Sequence, residues 1–165
     1  MDHAGVVMTT GISRQLVTDY FAACVARDSA RLAQVLDDNV QWSCAGPVDL
    51  IHFCGLRQGK AAVIDAIVRI APTLLRLTGM ELEEVLIDGN RAATFSRLTA
   101  IHADTGRTVS YRCAQFLRFD EGKLVEFRAL MDSFDAAEQV LGHAIDTSAT
   151  DRLASFVTRS NFIAL

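Results

Sequence analysis

The sequence predicts an α+β roll, in which a curved antiparallel sheet wraps around a long N-terminal helix and encloses a cone-shaped pocket. Two observations predict this fold. Apolar residues recur at helical spacing in the first half of the chain, whereas four β-rich runs follow one another in the second half. Turn signals separate these runs, as is typical of an antiparallel meander: Asp88-Gly89, Asp104-Thr105-Gly106 and Asp120-Glu121-Gly122.

The helices are indicated by apolar stripes and by their end signals. Residues 13–27 carry a stripe about 100° wide, and Ser13 is a suitable N-cap. A short helix is expected over residues 29–36, ahead of a turn-forming Asp-Asp-Asn run. Residues 60–71 return to helical spacing until Pro72 ends the helix, and a last helix is expected from Ala136 to Leu141.

The strands are predicted at residues 40–44, 80–87, 91–103, 107–119 and 123–131. Glycine is the third loop residue of the last two turns, which suits three-residue hairpin loops with Ala103 opposite Arg107 and Phe119 opposite Lys123. Long strands twist strongly, so this sheet has a concave and a convex face. The register predicts a concave face with Phe95, Arg97, Thr99, Tyr111, Cys113, Gln115, Phe127, Ala129 and Met131.

The convex face is predicted to carry Leu98, Arg112, Ala114, Phe116, Arg128 and Leu130. This mixture is too apolar for solvent and too charged for a core, which indicates a homodimer interface. The alternative is that residues 133–165 fold back and cover it.

Composition excludes several classes of protein. The 165 residues include 16 Lys and Arg against 20 Asp and Glu, a net charge of −4, which disfavours a nucleic-acid partner. The cysteines form no C-x-x-C pair and the histidines no i, i+4 pair, so no metal site is expected. Arg69 interrupts the most apolar stretch, so we expect no membrane span. The N-terminus lacks the features of a signal peptide, and a cytoplasmic protein with reduced thiols is expected.

Several segments carry a family resemblance: 16–20 (LVTDY), 40–42 (VQW), 59–64 (GKAAVI), 119–124 (FDEGKL) and 132–142 (DSFDAAEQVLG). In this order they resemble the nuclear transport factor 2-like superfamily, which has a cystatin-like roll, and most of all its SnoaL-like and ketosteroid isomerase-like branch. The resemblance implies a domain over residues 13–142, between a flexible N-terminus (1–12) and a C-terminal tail (143–165). It implies no cofactor.

The resemblance also assigns site positions. The oxyanion-hole tyrosine of the isomerases corresponds to Tyr20, their aspartate base to Cys44 and their protonated aspartic acid to Gln115. The Arg-x-Asp motif of the limonene-epoxide hydrolases reads Arg97-Leu98-Thr99, and their aspartate on the last strand corresponds to Ala129. The carboxylates of both families are therefore replaced in this chain.

These assignments give a hypothetical site. Tyr20 would donate to an oxyanion with help from Gln115, Arg97 would hold an anionic group, and His52 or Asp49 would act as the base. In a structural reading, Arg97 would instead pair with Glu81. The expected ligand-binding residues are Trp42, Cys44, Phe53, Phe95, Thr99, Tyr111, Cys113, Phe127 and Met131.

Three functions remain open at this point. The first is an isomerase, cyclase, hydratase or hydrolase that acts on a small, mostly apolar polyketide, terpenoid or steroid-like compound. The second is a module that binds such a ligand without converting it, as the missing carboxylates suggest. The third is a dimeric scaffold in which core side chains fill the cone.

Overall fold

The computed structural model describes residues 11–146, which form four α-helices and a six-stranded sheet. The elements are α1 (Arg14–Ala26), α2 (Ser29–Val35), β1 (Leu36–Ala45), β2 (Gly55–Gln58), α3 (Lys60–Asp65), β3 (Leu75–Asp88), β4 (Arg91–His102), β5 (Thr108–Asp120), β6 (Lys123–Met131) and α4 (Ser133–Leu141). The predicted α+β roll is confirmed. The expected flexible N-terminus and C-terminal tail fall outside the described residues, except for residues 11–12 and 143–146.

Side-chain caps fix the N-termini of the first two helices. The Ser13 hydroxyl accepts a hydrogen bond from the amide of Leu16 over 3.1 Å, as predicted for an N-cap. Helix α1 ends at Ala26, and the C-cap residue Arg27 adopts the left-handed conformation with φ of 53°. The Asp28 carboxylate then accepts hydrogen bonds from two amides at the start of α2, each over 3.0 Å. Helix α1 packs its buried face against the sheet.

The predicted third helix changes its winding along its length. Helix α3 ends at Asp65, a π-helical turn follows over Ala66–Ile70, and a 3₁₀ turn over Ala71–Thr73 contains Pro72. The proline therefore lies where the helix stops, as expected. Strand β3 begins at Leu75, five residues before the predicted start.

The sheet is mixed, with strand order β2-β1-β6-β5-β4-β3. Strands β3 to β6 form the predicted antiparallel meander, but β1 pairs with β6 in parallel, which corrects the prediction of a wholly antiparallel sheet. The short strand β2, which pairs with β1, was not predicted. The turn signals could not reveal the β1–β6 pair, because the whole meander separates these strands in the sequence.

The β5–β6 hairpin keeps the predicted faces by a different route. Its loop has two residues, Glu121 and Gly122, both with positive φ, and Asp120 pairs with Lys123. An irregularity after Arg118 then shifts the register by one residue. The two changes add up to a register that differs from the predicted one by two residues. Because side chains alternate between faces with a period of two, the faces are unchanged, and the concave side carries Tyr111, Cys113, Gln115, Phe127, Ala129 and Met131, as predicted.

The β4–β5 hairpin overturns the predicted face of β4. Ile101 pairs with Thr108, so the predicted pairing of Ala103 with Arg107 is wrong. The loop is one residue longer than expected, because the amide of His102 still donates to the carbonyl of Arg107. A slip of one residue exchanges the two faces of a strand. Phe95, Arg97 and Thr99 therefore lie on the convex side, and Leu98 lies on the concave side instead of the convex one.

The convex side has an outer apolar patch of exposed side chains. Its members are Leu56, Leu86, Phe95, Phe116 and Leu130. Two glutamates lie among the arginines of this face: Glu83 contacts two arginines at 3.2 and 3.5 Å, and Glu126 contacts two others at 3.0 and 3.2 Å. Within residues 11–146, no helix is long and apolar enough to cross a membrane.

Candidate functional site

A cavity of about 120 Å³ lies between the concave face of the sheet, helix α1 and the segment around the π-helical turn. Its walls are almost wholly apolar. The lining residues are Tyr20, Phe21, Cys24, Arg27, Trp42, Cys44, Phe53, Ala66, Ile67, Ala71, Pro72, Leu75, Leu77, Met80, Leu98, Ala100, Tyr111, Cys113, Gln115, Phe127, Ala129 and Met131. The predicted cone therefore contains open space, and core side chains do not fill it completely.

An aromatic cluster forms one wall of the cavity. The rings of Trp42 and Phe127 stack with their centroids 5.5 Å apart, and the Tyr20 ring lies 5.6 Å from that of Phe127. These residues come from β1, β6 and α1, so the parallel β1–β6 pair is what brings Trp42 beside Phe127. All three were predicted to contribute to the site.

The hydroxyl of Tyr20 is already engaged by a neighbouring side chain. The indole nitrogen of Trp42 donates to it over 3.3 Å. Burial raises the pKa of Tyr20 well above its ordinary value, and the Cys24 thiol, one helical turn away, contributes to raising it, so the hydroxyl stays protonated. Tyr20 lines the cavity as predicted, but its polar group is largely committed to the protein.

Gln115 lies in a buried polar network on the concave face. Its Oε1 atom accepts hydrogen bonds from the hydroxyls of Thr94, over 2.6 Å, and Ser96, over 3.2 Å, and its Nε2 atom donates to Ser96 over 2.7 Å. Thr94 and Ser96 were not predicted site residues, because in the predicted register they share the convex face of β4 with Leu98. The network holds the amide of Gln115 in one orientation at the edge of the cavity.

Tyr111 lies on the same concave face, and its hydroxyl is free. The residue is 5% exposed and lines the cavity, yet the hydroxyl makes no hydrogen bond to any residue between 11 and 146. Burial raises the pKa of Tyr111 above its ordinary value, and the neighbouring thiols of Cys113 and Cys44 raise it further. Tyr111 is therefore an uncharged donor with no partner in the described structure.

The thiols around the cavity are mostly poor nucleophiles. Burial raises the pKa of Cys24 and that of Cys113 to about 12. The sulfur atoms of Cys44 and Cys54 lie 3.8 Å apart. The Cys44 thiol can donate to the Cys54 sulfur and thereby lowers the pKa of Cys54; Arg57 lowers that pKa to a smaller extent. The pKa of Cys44 itself is raised. Cys24, which was not among the predicted site residues, also lines the cavity.

Three predicted site residues of β4 do not reach the cavity. Arg97 lies on the convex side, where its guanidinium contacts the Glu83 carboxylate at 3.2 Å rather than the expected alternative partner, Glu81. Phe95 is 37% exposed there and lies under the guanidinium of Arg112. Thr99 does not line the cavity either. The physical reason is the one-residue difference in register between β4 and β5.

The two predicted bases also lie outside the cavity. His52 and Asp49 are exposed, and the ring of His52 hydrogen-bonds through Nδ1 with the Val48 carbonyl over 3.2 Å. Phe53, next to His52, does line the cavity as predicted. Among the described residues, neither a carboxylate nor an imidazole lines the cavity, and no cluster of possible metal ligands is found.

The lining of the cavity includes a charged residue, Arg27, and many apolar residues that were not predicted. Arg27 is exposed at the rim and donates through its Nη1 atom to the Leu77 carbonyl over 3.1 Å. Leu77 and Met80 reach the cavity from β3. The apolar stripe of α1 did contain a usable signal for Phe21 and Cys24, since both share the face of Tyr20.

The comparisons with known proteins agree with this architecture. The family model of the SnoaL-like domain matches residues 17–127, well over half of the chain. A search of curated proteins found no match.

Many solved structures are similar to this one. A protein of Rhodopseudomonas palustris, named provisionally as an isomerase, is 34% identical with a TM-score of 0.73; the match covers 80% of this chain and 100% of that one. A nuclear transport factor 2-like protein of Burkholderia thailandensis is 20% identical with a TM-score of 0.65, over 77% of this chain and 95% of the other.

A third structure carries the name of an enzyme but shows only the fold. It is an LEH-like epoxide hydrolase of M. tuberculosis, 15% identical with a TM-score of 0.64, and the match covers 88% of this chain and 95% of that one. The predicted superfamily and branch are confirmed by these matches together. The chain belongs to the SnoaL-like domain family and has the nuclear transport factor 2-like fold.

Proposed function

We propose that this protein reversibly binds a small, mostly apolar molecule in the cavity. One observation carries the proposal: an apolar cavity is lined by uncharged hydroxyl, thiol and amide groups, among which the Tyr111 hydroxyl is unpartnered. Apolar pockets with a few polar groups are the usual form of small-molecule sites, because burial supplies affinity and the polar groups supply orientation.

The volume of the cavity favours a single ring over the four-ring skeleton of a steroid. A core cavity of roughly 150 Å³ accommodates benzene in another protein. The present cavity, at about 120 Å³, is of that order. Among the classes expected from the sequence, small terpenoid or polyketide-derived rings therefore fit best.

Binding without conversion is supported by the absence of a base among the described lining residues. Cys44 and Gln115 occupy the positions of the two isomerase carboxylates, and the pKa of the Cys44 thiol is raised, so it keeps its proton at neutral pH. A proton donor alone cannot perform an isomerisation that also needs a proton acceptor. Arg27, the charged residue at the rim, cannot act as a base, because arginine stays protonated.

A second candidate, acid–base isomerase activity, is favoured by the similarity to the Rhodopseudomonas palustris protein. The two candidates differ in the fate of the ligand. A ligand that is recovered chemically unchanged after long incubation supports binding. A ligand that is converted, with loss of conversion when Tyr20 is changed to Phe, supports the isomerase and overturns the proposal.

The binding test uses the only tryptophan of the chain, Trp42, which lines the cavity. We expect single-ring ketones and hydrocarbons to change its fluorescence at saturation, and Ala100→Leu, which fills part of the cavity, to weaken binding about tenfold or more. The matched control is Ala93→Leu, on the same strand but facing the convex side, which should leave the Kd unchanged. Equal effects of the two substitutions would place the binding site elsewhere.

We also infer a homodimer through the convex face. The outer apolar patch is ringed by both glutamates and arginines, so two copies related by a two-fold axis can bring apolar side chains together and pair opposite charges. The four free cysteines further support the expected cytoplasmic location, since reducing compartments keep thiols in this state.

A further inference from the structure

Two tyrosines line the same cavity, but only one of them has a hydroxyl that is free. The Tyr20 hydroxyl accepts a hydrogen bond from the indole nitrogen of Trp42 over 3.3 Å. The Tyr111 hydroxyl has no hydrogen-bond partner within residues 11–146, although the residue is 5% exposed. The two residues are therefore matched in type and burial and differ in what their polar atoms contact.

The Tyr111 hydroxyl is open to the space of the cavity, since no fully enclosed side-chain oxygen or nitrogen within residues 11–146 lacks a hydrogen-bond partner. A ligand that enters the cavity displaces water from this hydroxyl, and a hydroxyl left without a hydrogen bond in an apolar site costs free energy. A ligand that supplies an acceptor recovers this cost, whereas a ligand of the same shape without an acceptor does not. Tyr111 therefore distinguishes between ligands that are alike in size and apolar surface.

We propose that the Tyr111 hydroxyl is the donor that positions the ligand, and that the ligand of this cavity carries a neutral acceptor oxygen such as a ketone or aldehyde carbonyl. This inference rests on the proposed function, since it assumes that a small molecule occupies the cavity. It assigns the positioning role to Tyr111 on β5 rather than to Tyr20 on α1.

The surroundings of Tyr111 favour a neutral oxygen over an anionic one. The groups beside it are the thiols of Cys44 and Cys113, which stay protonated and bring no positive charge. The hydrogen bond with Cys54 and then burial raise the pKa of Cys44, and burial raises that of Cys113. Arg27 bonds to the Leu77 carbonyl on β3, and β4 separates that strand from β5. Burial also keeps Tyr111 itself protonated, so it remains a donor across the neutral pH range.

The test uses two probes of nearly the same shape, cyclohexanone and methylenecyclohexane, of which only the ketone can accept a hydrogen bond. We expect Tyr111→Phe to weaken binding of the ketone about two- to tenfold, the range of one neutral hydrogen bond, and to leave the Kd of methylenecyclohexane unchanged. Each probe is compared with itself, because the ketone is more strongly hydrated than the hydrocarbon in water. The control Ser110→Ala removes a hydroxyl from the neighbouring residue of β5, on the opposite face of the strand, and should leave both Kd values unchanged. Trp42 fluorescence gives the Kd values.

A spectroscopic measurement makes the result independent of whether a variant folds well. The carbonyl stretching band of ¹³C-labelled cyclohexanone should move to lower frequency when the ketone is bound to the wild-type protein, and should return to its hydrocarbon-solvent position in Tyr111→Phe. An unshifted band in the wild-type protein overturns the inference, as does a Kd of cyclohexanone that is the same in the wild-type protein and in Tyr111→Phe. If Tyr111→Phe weakens binding of both probes equally, the cavity is a binding site but Tyr111 does not position the ligand; if neither probe binds to the wild-type protein, the proposed function fails as well.

Discussion

At the scale of single residues, the chemistry of this cavity is determined by buried tyrosine and cysteine side chains that keep their protons and carry no charge. Two tyrosines and three of the four cysteines have raised pKa values, and burial contributes in each case. Cys54 is the exception, because the Cys44 thiol beside it stabilises its thiolate. The site therefore offers proton donors at neutral pH, which suits the recognition of an acceptor better than proton abstraction.

Raised thiol pKa values predict that the protein loses stability at alkaline pH. The pKa of Cys113 is about 12 in the folded protein against an ordinary value of 9.0. Above pH 9 the unfolded chain therefore loses this proton while the folded protein keeps it, so the free energy of unfolding falls as pH rises from 9 towards 12. Cys113→Ala should make this decline less steep, as measured by urea unfolding at pH 7, 9 and 10.

In that experiment, the stability of each protein at high pH is compared with the stability of the same protein at pH 7. Any loss of packing in Cys113→Ala affects stability at pH 7 as well, whereas the titration affects only the difference between pH 7 and pH 10. Identical pH dependence in the two proteins would show that Cys113 ionises with its ordinary pKa.

At the scale of elements, the face of each strand decides which side chains reach the cavity. The faces of β5 and β6 were predicted correctly, because their buried positions alternate with exposed or charged ones. The side chains of β4 were assigned to the wrong faces, because its two alternating sets look alike: each contains one large apolar residue and two polar ones. These sets are Phe95, Arg97 and Thr99 on one side and Thr94, Ser96 and Leu98 on the other. Hydrophobicity could not choose between them, and the choice depended on the length of a loop.

The register of β4 predicts that Arg97, the charged residue of the site expected from the sequence, takes no part in ligand binding. Arg97→Ala should leave the Kd for cyclohexanone unchanged within about twofold, because the guanidinium pairs with Glu83 on the convex side. The loss of stability should be below about 1 kcal/mol, as for other exposed ion pairs. Leu98→Ala, the adjacent residue on the cavity side, should weaken binding, as Trp42 fluorescence can measure. A larger effect from Arg97→Ala than from Leu98→Ala would contradict the observed register.

At the scale of the whole molecule, the sheet separates two apolar regions. The concave side and α1 enclose the cavity, and the convex side presents the outer apolar patch. An exposed patch of this kind on a sheet is typical of a protein–protein interface. Strands β3, β4, β5 and β6 contribute to both regions, so the proposed interface lies behind the cavity.

The proposed homodimer predicts a change of mass when the outer apolar patch is made polar. Leu130 is 56% exposed, and Leu130→Asp would bury a carboxylate in the interface, so we expect it to convert the dimer into a monomer. Leu141→Asp, at a 44% exposed position on α4 outside the patch, is the control and should leave the dimer intact. Sedimentation velocity gives the masses, and a wild-type protein that sediments as a monomer would reject the interface.

The sequence by itself determined the α+β class, the order of the elements, the antiparallel meander and the inward faces of β5 and β6. These features follow from local periodicity and turn chemistry, which the backbone imposes within a few residues. Only the tertiary structure decided that β1 pairs with β6, that Arg97 faces outward and that the Tyr20 hydroxyl is engaged while that of Tyr111 is free. Those outcomes depend on loop length, register and contacts between residues far apart in the chain, and a shift of one residue reverses them.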